Sequence, residues 1–267
     1  MIKGVLKRAL PRRLVAVISS RRWWTHVANA QGEHKDLCRL LISHCGTAVM
    51  GGPFKGLRYN ETCLLSHGNT QLLLGTYEIE LHPWLEQVLS NKYERIVDIG
   101  AAEGYYAVGM AMRTATVVDA YETAGPVRRM CREMARLNGV NDLVRVHSWC
   151  DSKTLRKLNG RRCLILSDCE GYETELFTTE IVPAIAQSDL IIELHDRGQS
   201  PGTTRRILEN RLCNTHSLSC VRFGSHDVAE FPQLTALSFL SEDDVRKAIS
   251  EAARDADQEW MLAIPKR

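Results

Sequence analysis

Four carboxylates, Asp168, Glu170, Glu173 and Glu175, stand within eight residues, directly after the apolar run Cys163, Leu164, Ile165, Leu166. Further on, residues 192–196 read IELHD. Alternation along a strand points Glu193 and His195 to one face and Leu194 to the other. A histidine at a strand end is suited to proton transfer near neutral pH. This reading makes His195 the general base, with Asp168 or Glu170 orienting it or the acceptor. Nearby carboxylates would raise its pKa. Asp168 and Glu170 with Glu193, His195 and Asp196 are also a hard ligand set for a divalent cation, an alternative that no spacing rule favours. Glu173 and Glu175 read as the acid-rich start of a helix.

A second group surrounds VDIGAAEGYY, residues 97–106. A short apolar run ends there in a glycine turn, so Asp98, Gly100, Ala101, Glu103, Gly104 and Tyr105 are candidate ligand contacts. The spacing is not G-x-G-x-x-G. Glu103 in the loop would repel a pyrophosphate and could hold an ammonium group. Glu122 follows Gly100 by 22 residues, where an acid can grip a vicinal diol; Asp119, inside the strand, is the weaker alternative. Cys150 and Asp151 follow the third strand. Asp151 fits an adenine amine and a helix N-cap equally well.

These residues resemble class I S-adenosylmethionine-dependent methyltransferases over roughly residues 75–267. More narrowly, VDIGAAEGYYAVG, AYE, DCEGYE and IELHD, with GTYEIEL before them, are similar to the FkbM-type family. The resemblance implies a seven-stranded sheet, S-adenosylmethionine as cofactor and methyl transfer to an oxygen, with a saccharide or small metabolite as acceptor. Glu103, Cys169 and Tyr172 depart from the family's usual pattern. The chain lacks the Pro-Pro-aromatic turn of base-amine methyltransferases and the Pro-Cys of base-carbon ones. Other readings are an RNA or lipid methyltransferase, a nicotinamide-dependent oxidoreductase, and a non-catalytic cofactor-binding protein.

Positioning these groups requires regular alternation. From residue 95 onward strand-like and helix-like segments alternate: RIVDIG, ATVVDAYE, LVRVHSWC, RCLILSD and SDLIIELHD are strands, with helices between them. Continuous apolar strands indicate a parallel sheet covered on both faces. THSLSCVRFG and WMLAIP predict an antiparallel pair at the edge. The expectation is an α/β, Rossmann-like doubly wound seven-stranded sheet over residues 61–267. A helical, basic arm and a glycine-rich linker precede it over residues 1–60. TELFTTEIVPAIAQ is predicted helical with a break at Pro183.

Composition adds constraints. Residues 1–30 hold seven basic residues and no acidic one, which leaves −5 on the rest within a net charge of +2. Such an arm fits peripheral contact with an anionic membrane or nucleic acid. Nine cysteines without a C-x-x-C pair argue against a zinc site or disulfide framework. A cytoplasmic protein is the expectation, with a place at the membrane periphery as the alternative; the sequence leaves the oligomeric state open.

Overall fold

The computed structural model describes residues 32–67, 70–224, 234, 237–249 and 258–266. Seven strands form one sheet: β1 Arg95–Ile99, β2 Val118–Tyr121, β3 Val144–His147, β4 Cys163–Ser167, β5 Asp189–Leu194, β6 His216–Arg222 and β7 Glu259–Pro265. Their order is β3-β2-β1-β4-β5-β7-β6. β1 to β5 pair in parallel, and β7 inserts antiparallel between β5 and β6. This is the Rossmann-like sheet with an antiparallel edge predicted above. Strand order reverses between β1 and β4, so a crevice opens at their carboxyl ends.

The helices Gly32–Cys45, Glu61–His67, Thr70–Leu74, His82–Leu89, Tyr105–Thr114, Gly125–Leu137 and Glu242–Ile249 contribute buried residues to the core on one sheet face. Shorter pieces, Ser152–Arg156, Glu173–Leu176 and Val182–Ile185, join Thr203–Leu212 on the other. β4 and β5 are buried along their whole length, as central parallel strands must be.

Two local readings are refined. The glycine-rich stretch 46–60 is a loop, but Val49, Phe54, Leu57 and Tyr59 are buried in the same core as the sheet. Residues 173–186 form two separate short turns rather than one broken helix. Pro183 lies in the first turn of the second, where its missing N–H costs nothing. Ser241 caps the helix Glu242–Ile249, its Oγ accepting from Asp244 N at 3.1 Å. The basic residues of the arm lie outside the described residues. All nine cysteines are free. No helix among the described residues is long and apolar enough to cross a membrane.

Candidate active site

Strand register collects the acids. Asp98 on β1 lies in one row with Leu166, Ile191 and Leu262. With a period of two, the next row outward on that face holds Gly100, Asp168, Glu193 and Trp260, and His195 follows. Glu193 and Trp260 are direct cross-strand partners. The sheet therefore brings Asp98, Asp168, Glu193 and His195 to one face at the switch point, from three strands.

The turn after β1 requires its glycines. Gly100 has φ +91°, and a Cβ there would lie 1.7 Å from the Asp168 carbonyl oxygen. Its amide and that of Ala101 donate to the Tyr121 carbonyl at 2.8 and 3.0 Å. Gly104 has φ +105°, with the Cys131 thiol 3.0 Å from where a Cβ would stand. The helix Tyr105–Thr114 begins there, and its first-turn amides have no intrahelical acceptor. The Tyr105 side chain is a core residue, packed edge-on against Phe54 and Tyr77. In the lead-in segment, the left-handed, buried Glu78 accepts a hydrogen bond from the Tyr106 hydroxyl.

Asp98 lies beneath this turn, 1% exposed. Burial, then the charge of Asp168, pushes its carboxyl up to about 8. Neither oxygen reaches a donor at ordinary hydrogen-bonding geometry, and the Ala107 amide pulls more weakly the other way. Glu103 is buried too, and its charge, after burial itself, raises the pKa of Tyr59 and Cys63. Glu122 follows β2 and accepts from Ala124 N at 2.6 Å. Burial raises its pKa, with the Ala124 and Ala102 amides opposing. Its carboxylate thus stands between the glycine turn and the start of the helix Gly125–Leu137. Asp119 points to the opposite face, 3.0 Å from His147 Nε2 and 3.4 Å from Arg95.

Of the two readings of Asp151, capping is the contact observed. Oδ1 accepts from the Thr154 amide and hydroxyl, both at 2.9 Å, and that amide chiefly lowers its pKa. Cys150 is buried among apolar side chains of the second face, its thiol pushed up to about 12 by burial.

The acidic stretch divides differently from the sequence reading. Glu170 is left-handed, φ 59°, and pairs with Arg197 rather than with His195. Gly171 follows at φ +99°, and two successive left-handed residues turn the chain back toward the sheet. That return carries Glu173 inward to 1% exposure. Its Oε1 accepts from His195 Nδ1 at 2.8 Å and from Gly171 N at 3.1 Å. Glu173 is therefore the residue that orients His195. Sequence reasoning placed it at a helix start, where it does lie, and missed its partner because His195 is 22 residues away. Glu175 remains an exposed acid of the first turn.

With Nδ1–H given to Glu173, His195 directs Nε2 toward Asp168 Oδ1 at 3.8 Å and Glu193 Oε2 at 3.7 Å. Burial alone would lower the imidazole pKa. The Glu173 hydrogen bond and the charges of Asp168, Glu173 and Asp196 outweigh it, and the net shift is upward. Asp168, Glu193 and His195 offer ligand atoms within 4.8 Å of one another. Asp196 does not join them: its two oxygens accept from Gly202 N at 2.5 Å and Thr204 N at 2.7 Å, anchoring the start of the helix Thr203–Leu212.

No protein-family model and no curated protein matches this chain. Solved structures do resemble it at low identity. A geranyl diphosphate methyltransferase in complex with GPP and sinefungin is 14% identical, with 96% of this chain and 99% of that one covered and a TM-score of 0.49. The geranyl diphosphate C-methyltransferase of Streptomyces coelicolor A3(2), with Mg2+, geranyl diphosphate and S-adenosyl-L-homocysteine, is 17% identical over 90% and 99%, TM-score 0.46. The ribosomal protein L11 methylase of Lactobacillus delbrueckii subsp. bulgaricus is 14% identical over 75% and 80%, TM-score 0.42.

Proposed function

We propose that this chain is a class I S-adenosylmethionine-dependent methyltransferase of the FkbM type, acting on a hydroxyl of a saccharide or small metabolite. The observation that carries the reading is His195, held through Nδ1 by the buried Glu173 at the sheet's switch point, with Nε2 turned toward the row of Asp168 and Glu193. A histidine so held keeps one tautomer and offers one nitrogen to a hydroxyl proton.

The residues present fit the cofactor. Gly100 and Gly104, both at positive φ, shape the turn against which a ligand would lie, and the buried Asp98 carboxyl, without a donor of its own, can accept from a ligand amine or hydroxyl. Glu122, beside that turn, would hold the ribose hydroxyls. When bound, S-adenosylmethionine supplies an electrophilic methyl group on a sulfonium. The chain's own part is to seat the acceptor hydroxyl near His195 Nε2, to take its proton there, and to let Glu173 stabilise the imidazolium that results.

Calorimetry with S-adenosylmethionine and with NAD, and S-adenosylhomocysteine release across a panel of saccharide and metabolite hydroxyls, test this together. Glu122→Ala should weaken donor binding. His195→Ala should keep donor affinity and lower turnover by about 10²–10⁴-fold. Equal donor affinity in the Glu122 variant, unchanged turnover in the His195 variant, or preference for NAD would each defeat the assignment.

A second reading rests on the close approach of Asp168, Glu193 and His195. A divalent cation held by these three would polarise the acceptor hydroxyl instead. Turnover that survives thorough chelation removes this reading.

A further inference from the structure

The face of the sheet opposite the candidate active site is incompletely covered. β4 and β5 are buried throughout, but β2 alternates buried with partly exposed residues and β3 is buried only at Val144. The cause lies in the crossover between β3 and β4, whose helix Ser152–Arg156 has only five residues. Parallel sheets are ordinarily covered on both faces. The positions left partly uncovered there include the charged Arg95 on β1, Asp119 on β2 and Arg145 on β3, beside the stacked Tyr121 and His147.

These side chains and the crossover line an open cleft of about 220 Å³, with Arg145, Lys157 and Arg161 exposed at its rim. Lys157 and Arg161 close it from the crossover side, with Tyr121 in its wall. Four cationic side chains thus line it against one carboxylate. Asp119 is already shared between Arg95 and His147. Arg95 Nη1 is shielded from solvent without a hydrogen bond, its contact with Asp119 being 3.4 Å. The crossover SKTLRKLNGRR, residues 152–162, holds five basic residues and no acidic one. Like charges crowded around a concave surface raise the local potential and favour a multiply charged anion. Guanidinium forks match phosphate oxygens in pairs.

We propose that this cleft is a second ligand site, taking a small phosphorylated molecule, distinct from the site at the carboxyl ends of β1, β4 and β5. The cations converge on one cleft rather than forming a stripe, which suits a compact phosphate group better than a nucleic-acid backbone. The partly exposed Tyr121 ring in the same wall gives the organic part a surface.

Isothermal titration of the full chain with ribose 5-phosphate, ribose, inorganic pyrophosphate and a twelve-nucleotide single-stranded RNA tests this. Ribose 5-phosphate and pyrophosphate should bind with one-to-one stoichiometry, and ribose should not. Arg145→Glu and Lys157→Glu should each weaken ribose 5-phosphate by roughly tenfold or more, since charge-assisted phosphate contacts are lost. Lys55→Glu, an equal charge change on an exposed loop residue elsewhere, should leave it unchanged. Thermal melts within a few degrees of wild type show that the variants are folded. No phosphate-dependent binding, equal loss in all three variants, or tighter and steeply salt-dependent binding of the RNA would overturn the proposal.

Discussion

Replacing Glu173 with Gln tests how the site holds its histidine. The substitution keeps the volume and an acceptor oxygen and removes the charge. In the native fold Glu173 is 1% exposed and receives His195 Nδ1 at 2.8 Å and Gly171 N at 3.1 Å. Hydrogen bonds to a charged group contribute about 1.5–3 kcal/mol and neutral ones about 1, so the variant should lose about 0.5–2 kcal/mol for the His195 contact where His195 is protonated. Burial opposes the imidazolium more than any other single cause, and the Glu173 contact is the largest cause raising it. The His195 midpoint should therefore fall in the variant. The sign of the stability effect follows. A histidine with a raised folded pKa stabilises the fold below its unfolded pKa, and that contribution disappears as pH rises through the folded pKa. The stability gap between wild type and Glu173→Gln should be largest near pH 6 and shrink toward pH 9. Long-range ¹H–¹⁵N correlation spectra across pH read the midpoint, and urea unfolding at the two pH values reads the gap. A midpoint that stays or rises, or a gap independent of pH, would refute this account of the pair.

Further outcomes follow from the same geometry. Gly100→Ala should destabilise by about 3 kcal/mol or more, because φ +91° and a Cβ 1.7 Å from the Asp168 carbonyl both penalise it; a melting temperature near wild type would contradict the packing described. Asp98 holds its proton up to about 8 in the fold against an ordinary value of 3.8, so the folded state binds more protons than the unfolded chain across that window. Stability without methyl donor should therefore decline as pH rises through it, and Asp98→Asn should flatten the decline; parallel pH profiles would argue against the buried neutral acid. Asp151→Ala should cost about 1 kcal/mol through the lost N-cap while donor affinity stays constant by calorimetry; a large loss of donor affinity would restore the adenine contact.

Much of the architecture was legible because it is written in local pattern. Apolar runs such as residues 163–166 and 190–192 announced buried parallel strands, and β6 and β7 were read as an antiparallel pair. The same period of two placed Glu193 and His195 on one face. Gly100 was legible as a backbone requirement, although its reason, the Asp168 carbonyl beneath it, belongs to a neighbouring strand.

What the sequence by itself determined is the order of strands and helices and the inventory of groups at strand ends. Both depend on residues close together in the chain. Only the tertiary structure decided which acid serves which partner. Glu170 and Glu173 are three residues apart and chemically alike, yet one pairs with Arg197 and the other with His195. Two left-handed residues at 170 and 171 aim the chain back under the sheet, and a carboxylate's role there is set by contacts across a turn that no local period encodes. The uncovered cationic cleft has the same origin. Arg95, Arg145 and Lys157 are ordinary surface charges in the sequence, and only the short crossover and the strand order β3-β2-β1 bring them around one hollow.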